Sequence, residues 1–267
     1  MIDPKRNVYY YSEVPGSAVL EDGALPRRVM TLFMLVDCSG SMSFDGNIGK
    51  VNRAVEETVQ QLRDVSDNNF DAEIKIAVLK FSDGCEWVTN GAESFDNFIW
   101  NGLSAEGLTD MGEAFLELES KLSRNEFLKS STGAYAPVII LLSDGQPTDN
   151  IDSGLEKLRH NNWYKSAMKI AIAVNSDATD ALVQFTGSTE TVIPYDSDKQ
   201  NLTKLLTKLA VVSSKMQSRS RGANEAGAAI DEGNTMKINE EAVIETGKQV
   251  INEVTSDEDN LWGDSGW

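Results

Sequence analysis

Two uncharged apolar segments, residues 30–36 and 137–142, constrain the fold of this chain most strongly. Each is short and rich in large apolar side chains, which predicts a strand buried on both faces. Other strand patterns follow along the chain, and helical patterns separate them. This alternation predicts an α/β fold with a doubly wound, mostly parallel sheet flanked by helices. In such sheets ligands bind beyond the carboxyl ends of the strands.

The spacing of apolar residues predicts where these elements lie. Strands are expected at about 30–37, 73–81, 86–89, 137–143, 169–174 and 191–193. Helices are expected at about 48–65, 110–122, 152–159, 178–186 and 198–214, with short helical turns around 95–100. The helix that follows the first strand is therefore amphipathic, with one face turned to the sheet.

Oxygen-bearing side chains directly follow both apolar segments. Asp37, Ser39 and Ser41 alternate behind the first segment, so their side chains can converge on one point. Asp144 follows the second segment closely, and Thr109 lies in a polar loop before a helical pattern. Carboxylate and hydroxyl oxygens suit a hard cation such as Mg²⁺ or Mn²⁺. The sequence therefore contains a candidate metal site.

The Asp-x-Ser-x-Ser pattern behind a hydrophobic strand resembles the metal-ion-dependent adhesion site (MIDAS) of von Willebrand factor A (VWA) domains. Loops 107–112 and 143–145 resemble the second and third metal loops of that family, so the resemblance covers about residues 28–214. It implies that the metal, Mg²⁺ or Mn²⁺, is held by Asp37, Ser39, Ser41, Thr109 and Asp144. It also implies that an acidic residue of a protein partner fills an open position on the metal.

Each of these residues is also open to a purely structural interpretation. The two serines can serve as turn or helix-capping residues, Thr109 as a helix N-cap, and Asp144 as part of a plain turn. Two more acids lie beside the loops. Asp110 is expected to cap the helix or face solvent, and Asp149 to stabilise its loop at the rim of the site.

The charge balance limits the classes of partner. The chain has 24 Lys and Arg against 42 Asp and Glu, a formal net charge of −18. Nucleic acid and anionic membranes both require a basic face, so neither is an expected partner. The sequence shows no signal peptide pattern and no apolar run of about 18 residues. With only Cys38 and Cys85 as thiols, both expected to be reduced, we expect a cytoplasmic protein.

Enzymatic interpretations fit the residues less well, and we expect a protein that is not an enzyme. Asp37 as a phosphoryl-accepting nucleophile resembles the Asp-x-Asp of aspartyl phosphatases, but position 39 is a serine, which leaves a metal-dependent phosphatase as a weak alternative. The Ser-Gly-Ser string does not fit a nucleophile elbow. The chain has one histidine, His160, in a polar segment, and no phosphate-binding loop.

The chain divides into three regions on composition. We expect an N-terminal extension at 1–27, the VWA domain at 28–214, and an acidic, largely disordered tail at 215–267 with a helix at about 240–254 capped by Asn239. Trp262 and Trp267 in the tail resemble a short docking motif for a second protein. Two alternatives follow: the tail recruits the partner as an adaptor, or a tail carboxylate occupies the metal site in cis.

The strings 37–42 and 142–149 further resemble bacterial stand-alone VWA proteins of the tellurium-resistance type. One departure is Gly107-Leu108-Thr109, where that group often has Gly-Gly-Thr. The resemblance implies an association with a protein kinase and a PP2C-type phosphatase in stress response or phage defence. The function expected on this basis is a metal-dependent protein-binding module that acts as a scaffold or regulator.

Overall fold

The computed structural model describes residues 27–67, 72–174, 179–195, 201–219 and 239–256. Its strands are β1 (Arg28–Asp37), β2 (Ala72–Ser82), β3 (Gly84–Trp87), β4 (Glu93–Ser94), β5 (Val138–Ser143), β6 (Met168–Val174) and β7 (Val192–Tyr195). Its α-helices are α1 (Asn47–Asp67), α2 (Met111–Lys121), α3 (Asp152–His160), α4 (Asn162–Ser166), α5 (Asp180–Thr186), α6 (Leu202–Arg219) and α7 (Glu240–Ser256). A 3₁₀ segment at Gly40–Gly46 joins β1 to α1.

The strands form a single sheet in the order β3-β2-β1-β5-β6-β7, and β4 also pairs with β2. The five strands β2, β1, β5, β6 and β7 are parallel, while β3 and β4 pair antiparallel to β2. The chain order reverses at the centre of the sheet, between β1 and β5. The predicted doubly wound, mostly parallel sheet is therefore confirmed.

Helices cover both faces of the sheet. One apolar core lies between the sheet and α1, α6 and α7, and the other between the sheet and α2 to α5. The even residues of β1 from Met30 to Val36 face the first core, and Phe33 and Leu35 face the second. With both faces covered, β1 carries no charge between Arg28 and Asp37, as the uncharged segment at 30–36 predicts.

Two short elements are absent from the sequence prediction. β4 has only two residues, and a hydrogen-bonded turn follows it, with Asn97 and Phe98 N–H groups both donating to the Ser94 carbonyl. α4 has five residues and begins at a cap, because the side chain of Asn161 accepts hydrogen bonds from the N–H groups of Trp163 and Tyr164. Elements of this length are too short to show a periodic apolar pattern.

Helix α7 packs on the domain rather than standing apart from it. Asn239 caps it by accepting a hydrogen bond from the N–H of Ala242 at 3.2 Å. Val250 and Val254 are fully buried in the same core as β6 and α6. Lys248 forms an ion pair of 2.5 Å with Glu190, in the segment before β7. The helix expected at about 240–254 therefore contributes to the core of the sheet domain.

Several sequence predictions concern residues that lie outside the described part of the chain. These are the N-terminal extension up to residue 26, the composition-based disorder at 220–238 and 257–267, and the docking motif with Trp262 and Trp267. Within the residues that the structure does describe, no helix combines the length and apolar character needed to cross a membrane.

The two thiols lie on opposite sides of the sheet. Cys38 is buried in the core beneath α1, and its Sγ donates to the Val36 carbonyl at 3.6 Å. Cys85 packs against the other core. Burial raises the pKa of each thiol to about 12. Cys38 is thus a small buried side chain, as its position between the alternating polar residues predicts.

Candidate metal centre

The predicted site lies where β1 and β5 end side by side. The two strands are parallel neighbours, with Val36 paired to Leu142 as the last register pair. The next residues are Asp37 and Ser143, and Asp144 follows directly. The register of the sheet therefore brings the two predicted acidic residues together at one edge, at the point where the strand order reverses.

Asp37 is a fully buried carboxylate with both oxygens bonded. Oδ1 accepts a hydrogen bond from the Ser39 N–H at 2.8 Å, and Oδ2 accepts one from the Ser143 hydroxyl at 2.5 Å. Burial raises the pKa of the Asp37 carboxyl, and the bonds from Ser143 and Ser39 oppose that rise. The nearby Asp144 raises the pKa further. A buried negative charge of this kind is stabilised by a cation beside it.

Ser39, Ser41 and Asp144 form a directed chain of hydrogen bonds. The Ser41 hydroxyl donates to Asp144 Oδ1 at 2.8 Å, and the Ser39 and Ser41 hydroxyl oxygens are 3.0 Å apart. A hydroxyl has a single proton, so Ser39 must be the donor to Ser41 while Asp144 is ionised. The lone pairs of Ser39 Oγ are then free to accept. Neither serine side chain caps the 3₁₀ segment, so the capping interpretation is wrong.

Asp144 is only half-buried, unlike Asp37. Burial still raises the pKa of its carboxyl, and the hydrogen bond from Ser41 opposes the rise. The two carboxyls therefore differ in setting: Asp37 is fixed beneath the loops by two donors, and Asp144 lies closer to solvent.

Backbone contacts bind the first loop to the loop that carries Thr109. The Gly40 N–H donates to the Gly107 carbonyl at 3.0 Å, and the Glu106 N–H donates to the Cys38 carbonyl at 2.8 Å. A Cβ on Gly40 would lie 3.3 Å from the Gly107 oxygen, so the close approach favours glycine at this position. These bonds hold the second loop beside the first.

Thr109 is buried and is joined to the third loop through its backbone. Its N–H donates to the Thr148 hydroxyl at 2.9 Å, and its carbonyl accepts from the Thr148 N–H at 2.9 Å. The Thr109 hydroxyl makes no hydrogen bond within the described residues. Helix α2 starts two residues later with Asp110 at its N-cap, so the Thr109 hydroxyl is left available to a ligand.

The two flanking acids have structural roles. Asp149 accepts hydrogen bonds from the N–H groups of Gly112 and Glu113, both at 3.0 Å, so it caps α2 from the third loop and confirms the prediction of a loop-stabilising residue. Asp110 does not cap α2 with its side chain. Its Oδ2 accepts from the Gly84 N–H at 2.8 Å instead, which corrects the expectation of a cap or a solvent-facing acid.

Ser143 and Thr148 belong to the site but are not singled out by the sequence. Ser143 anchors Asp37, and Thr148 pairs with Thr109. The available signal for Ser143 is its register, because it ends β5 beside the end of β1. Thr148 carries no comparable signal, because a threonine in a polar loop is an ordinary turn residue.

The donor set fits a hard divalent cation. Asp37, Asp144 and three hydroxyls supply oxygen alone, and Mg²⁺ and Mn²⁺ prefer such ligands. Across the residues that the structure describes, no group of three His, Cys, Asp or Glu side chains is placed to hold a metal. The neutral hydroxyls and the free lone pairs of Ser39 are therefore essential to any metal site here.

The family comparison identifies the family of this fold. The family model described as von Willebrand factor type A domain matches residues 32–181, more than half of the chain. This chain belongs to the VWA domain family. VWA domains mediate protein–protein interactions and use a metal at the MIDAS. No sequence among curated proteins matches this chain.

Solved structures share the VWA fold at low sequence identity. Proximal thread matrix protein 1 from the mussel byssus gives a TM-score of 0.52 at 17% identity, covering 70% of this chain and 48% of that chain. A von Willebrand factor type A protein from Catenulispora acidiphila gives a TM-score of 0.51 at 17% identity, covering 71% of this chain and 43% of that chain. The pilus adhesin SpaC from Lactobacillus rhamnosus GG gives a TM-score of 0.52 at 14% identity, covering 72% of this chain and 30% of that chain. This chain thus matches less than half the length of each protein.

A further structure of the mussel protein contains a metal. One structure of the mussel protein has a zinc-occupied MIDAS motif, with a TM-score of 0.50 at 16% identity over 70% of this chain and 48% of that chain. At these identities the similarity shows the VWA fold alone.

Proposed function

We propose that this protein is a metal-dependent protein-binding module that acts as a scaffold or regulator. In this proposal Asp37, Ser39, Ser41, Thr109 and Asp144 hold Mg²⁺ or Mn²⁺. The observation that supports it best is the directed chain from Ser39 through Ser41 to Asp144, which leaves the Ser39 lone pairs free beside a buried carboxylate.

Each residue has a separate task in the proposed site. Ser143 and the Ser39 backbone fix Asp37 and leave its charge in place beneath the loops. Asp144 orients the Ser41 hydroxyl by accepting its hydrogen bond. Thr109 offers a hydroxyl from a loop that is fixed at both sides. A bound cation would supply an open position for a carboxylate of the partner protein.

The same contacts argue against catalysis, and we propose that the protein is not an enzyme. Asp37 is fully buried and both its oxygens accept hydrogen bonds, so it is poorly placed to attack a phosphoryl group. His160 is exposed, and its ring Nδ1 lies 2.7 Å from the Glu156 carbonyl in its own helix. It therefore offers no acid or base to the site. A metal-dependent phosphatase activity lost in Asp37→Asn would contradict this proposal.

The cellular setting belongs to the proposal as well. The strings 37–42 and 142–149 support a bacterial VWA protein of the tellurium-resistance type, located in the cytoplasm. Its partners would then include a protein kinase and a PP2C-type phosphatase in stress response or phage defence. The net charge of −18 favours protein partners over nucleic acid or anionic membranes.

Metal binding is the first test. Electron paramagnetic resonance of free Mn²⁺ measures binding directly, and competition with Mg²⁺ and Zn²⁺ ranks the ions. We expect one Mn²⁺ site per chain, weakened at least about tenfold in Ser41→Ala and Asp144→Asn. Ser43→Ala is the matched control, because Ser43 is exposed in the same loop and bonds only the Gly40 carbonyl. Equal binding by all four proteins would overturn the proposed site.

Partner capture is the second test. The wild-type chain is used as bait in native lysate with Mg²⁺, and bound proteins are released with chelator and identified by mass spectrometry. The proposal expects a partner that chelator releases and that Ser41→Ala fails to retain. A partner retained by Ser41→Ala but lost when residues 257–267 are deleted would favour the tail-mediated adaptor instead.

A further inference from the structure

Large hydrophobic side chains are exposed at the edge of the proposed site. Within the described residues, the exposed large hydrophobics are Phe44, Ile99 and Leu108, with exposed fractions of 70%, 71% and 58%. Phe44 lies in the first metal loop, and Leu108 comes directly before Thr109. Ile99 lies elsewhere, next to Phe98, whose carbonyl accepts from Arg63 near the carboxyl end of α1.

The backbone holds Phe44 in its exposed position. The Ser43 hydroxyl donates to the Gly40 carbonyl at 2.6 Å, which closes the turn before Phe44. Phe44 then leaves the 3₁₀ conformation with ψ of 141°, and Asp45 takes a φ of +50°. A left-handed conformation is uncommon for a residue other than glycine, although aspartate tolerates it better than most. Phe44 is therefore exposed by a specific local conformation.

Leu108 is exposed between two fixed residues. Its own N–H donates to Asp83 Oδ1 at 2.8 Å. On one side the Gly107 carbonyl accepts from Gly40, and on the other Thr109 pairs with Thr148 through both backbone groups. Leu108 therefore cannot turn inward without breaking contacts that build the site.

The loops around these side chains are acidic. Segments 37–46, 104–110 and 143–150 contain no Lys or Arg, and their acids are Asp37, Asp45, Glu106, Asp110, Asp144 and Asp149. Asp45 and Glu106 are exposed, one next to Phe44 and the other two residues from Leu108. A carboxylate that approaches this edge meets like charge, so basic residues beside it would favour binding.

We propose that Phe44, Asp45, Glu106 and Leu108 form a rim that selects the partner of the metal site. The occupant is an exposed loop of a partner protein in which one Asp or Glu is flanked by an apolar side chain and by Lys or Arg. The apolar side chain packs on Phe44 and Leu108, and the basic side chain pairs with Asp45 or Glu106. This inference rests on the proposed function, because the partner's carboxylate has to bind the metal.

Selection from a phage-displayed library of random, disulfide-closed heptapeptides tests the rim. The full chain is immobilised in Mg²⁺, bound phage are eluted with EDTA, and the enriched peptides are sequenced. We expect one acid per peptide, flanked by an aromatic or aliphatic residue and by Lys or Arg. A synthetic copy of the most enriched peptide is then titrated against the variants.

Two double variants remove the two features of the rim separately. One variant combines Phe44→Ser with Leu108→Ser, and the other combines Asp45→Asn with Glu106→Gln. Each should weaken binding of the synthetic peptide by at least about tenfold. Ile99→Ser and Glu156→Gln are the matched controls, because both residues are exposed away from the site. They should change the affinity by less than about twofold. All four variants should still bind one Mn²⁺ per chain.

The outcomes separate the rim from the proposed function. If EDTA elutes acid-containing peptides without apolar or basic neighbours, or if the double variants bind the peptide like the wild type, the rim inference is overturned and the metal-dependent module stands. If no acid-containing peptide is eluted by EDTA, the proposed function itself fails.

Discussion

The hydroxyl of Ser143 donates a hydrogen bond of 2.5 Å to Asp37 Oδ2, and this bond joins the carboxyl ends of two neighbouring parallel strands. It ties the third metal loop to the carboxylate at the base of the first. The buried charge of Asp37 is thus held by the sheet itself, while the remaining predicted ligands come from loops.

Ser143→Ala should destabilise the protein and weaken the metal site together. The substitution removes the hydrogen bond that most strongly opposes the burial-raised pKa of Asp37, so that pKa rises further. Loss of a bond to a buried ionised group costs about 1–3 kcal/mol of unfolding free energy. Urea denaturation and Mn²⁺ titration at pH 6 and pH 8 measure both effects, and the loss of metal affinity should be larger at pH 6.

Ser120→Ala is the matched control for that prediction. Ser120 is exposed on α2, and its hydroxyl donates to the Glu117 carbonyl in its own helix. It should leave stability nearly unchanged. If Ser143→Ala behaves like this control, Asp37 does not depend on the bond between the two strand ends.

Gly112→Ala should weaken metal binding although residue 112 is no ligand. A Cβ at Gly112 would collide with the Asn150 carbonyl and would lie 2.8 Å from Asp149 Oδ2. The start of α2 would have to move, and the loop with Thr109 would move with it. We expect a loss of about 1–3 kcal/mol in unfolding free energy and weaker Mn²⁺ binding.

Gly49→Ala separates this steric effect from helix propensity. Nothing lies within 4 Å of a Cβ built on Gly49 near the start of α1, so alanine there should be neutral or stabilising. Urea unfolding curves compare the free energies of unfolding of Gly112→Ala and Gly49→Ala. A Gly112→Ala protein as stable as Gly49→Ala would show that the contact between α2 and the third loop is loose.

The buried Lys169 should make stability rise with pH above neutrality. Burial lowers its pKa to about 8, opposed by Glu240, while its Nζ donates to the Tyr164 and Ala167 carbonyls. Between pH 8 and the ordinary lysine pKa of 10.5 the unfolded chain binds a proton that the folded chain has lost, so unfolding becomes harder as pH rises. The resulting gain in the free energy of unfolding is at most about 3 kcal/mol.

Lys169→Met should remove that part of the pH dependence. Urea denaturation at several pH values from 7 to 9.5 compares it with wild type and with Lys157→Met, whose side chain is exposed on α3. Wild type and the Lys157 variant should gain stability in parallel. If Lys169→Met gains as much stability with rising pH as they do, the pH dependence does not come from Lys169.

Gly247→Leu should undock α7. A Cβ at Gly247 would lie 3.2 Å from Thr191 Cγ2 and 3.9 Å from Met168 Cγ, so a larger side chain has no room. We expect a loss of about 1–3 kcal/mol of unfolding free energy and faster amide hydrogen exchange across 240–256. Gln249→Leu places the same residue on the exposed side of the helix and should leave exchange unchanged. Equal hydrogen exchange in both variants would show that α7 stays docked with the larger side chain at position 247.

Much of the fold was predictable because the central strands β1 and β5 each contain a long uncharged apolar segment. The segments at 30–36 and 137–142 can only be buried, and their parallel pairing places Asp37 beside Asp144. The hydrogen bond from Ser143 to Asp37 was not predictable in the same way, because a serine before Asp-Gly is typical of an ordinary turn. The role of Asp110 depends on a contact with Gly84, 26 residues away, which no local pattern encodes.

The packing of α7 shows a second limit. Asn239 and the apolar spacing of the following residues predict a helix, but an amphipathic helix can bury its apolar face against many surfaces. Only the tertiary structure shows that Val250 and Val254 enter the core of α6 and β6. The closeness of Gly247 to Thr191 also appears only once the helix is in place.

Strand β1 has a mechanical consequence for a protein that holds a partner. Its ten residues pair in parallel with β2 over their whole length, and five of them also pair with β5, so the strand is clamped on both sides. Asp37 lies at one end and Arg28 at the other. Tension between a bound partner and the chain before Arg28 would therefore pull β1 lengthwise between its neighbours. Rupture would require many hydrogen bonds to shear at once rather than open one after another.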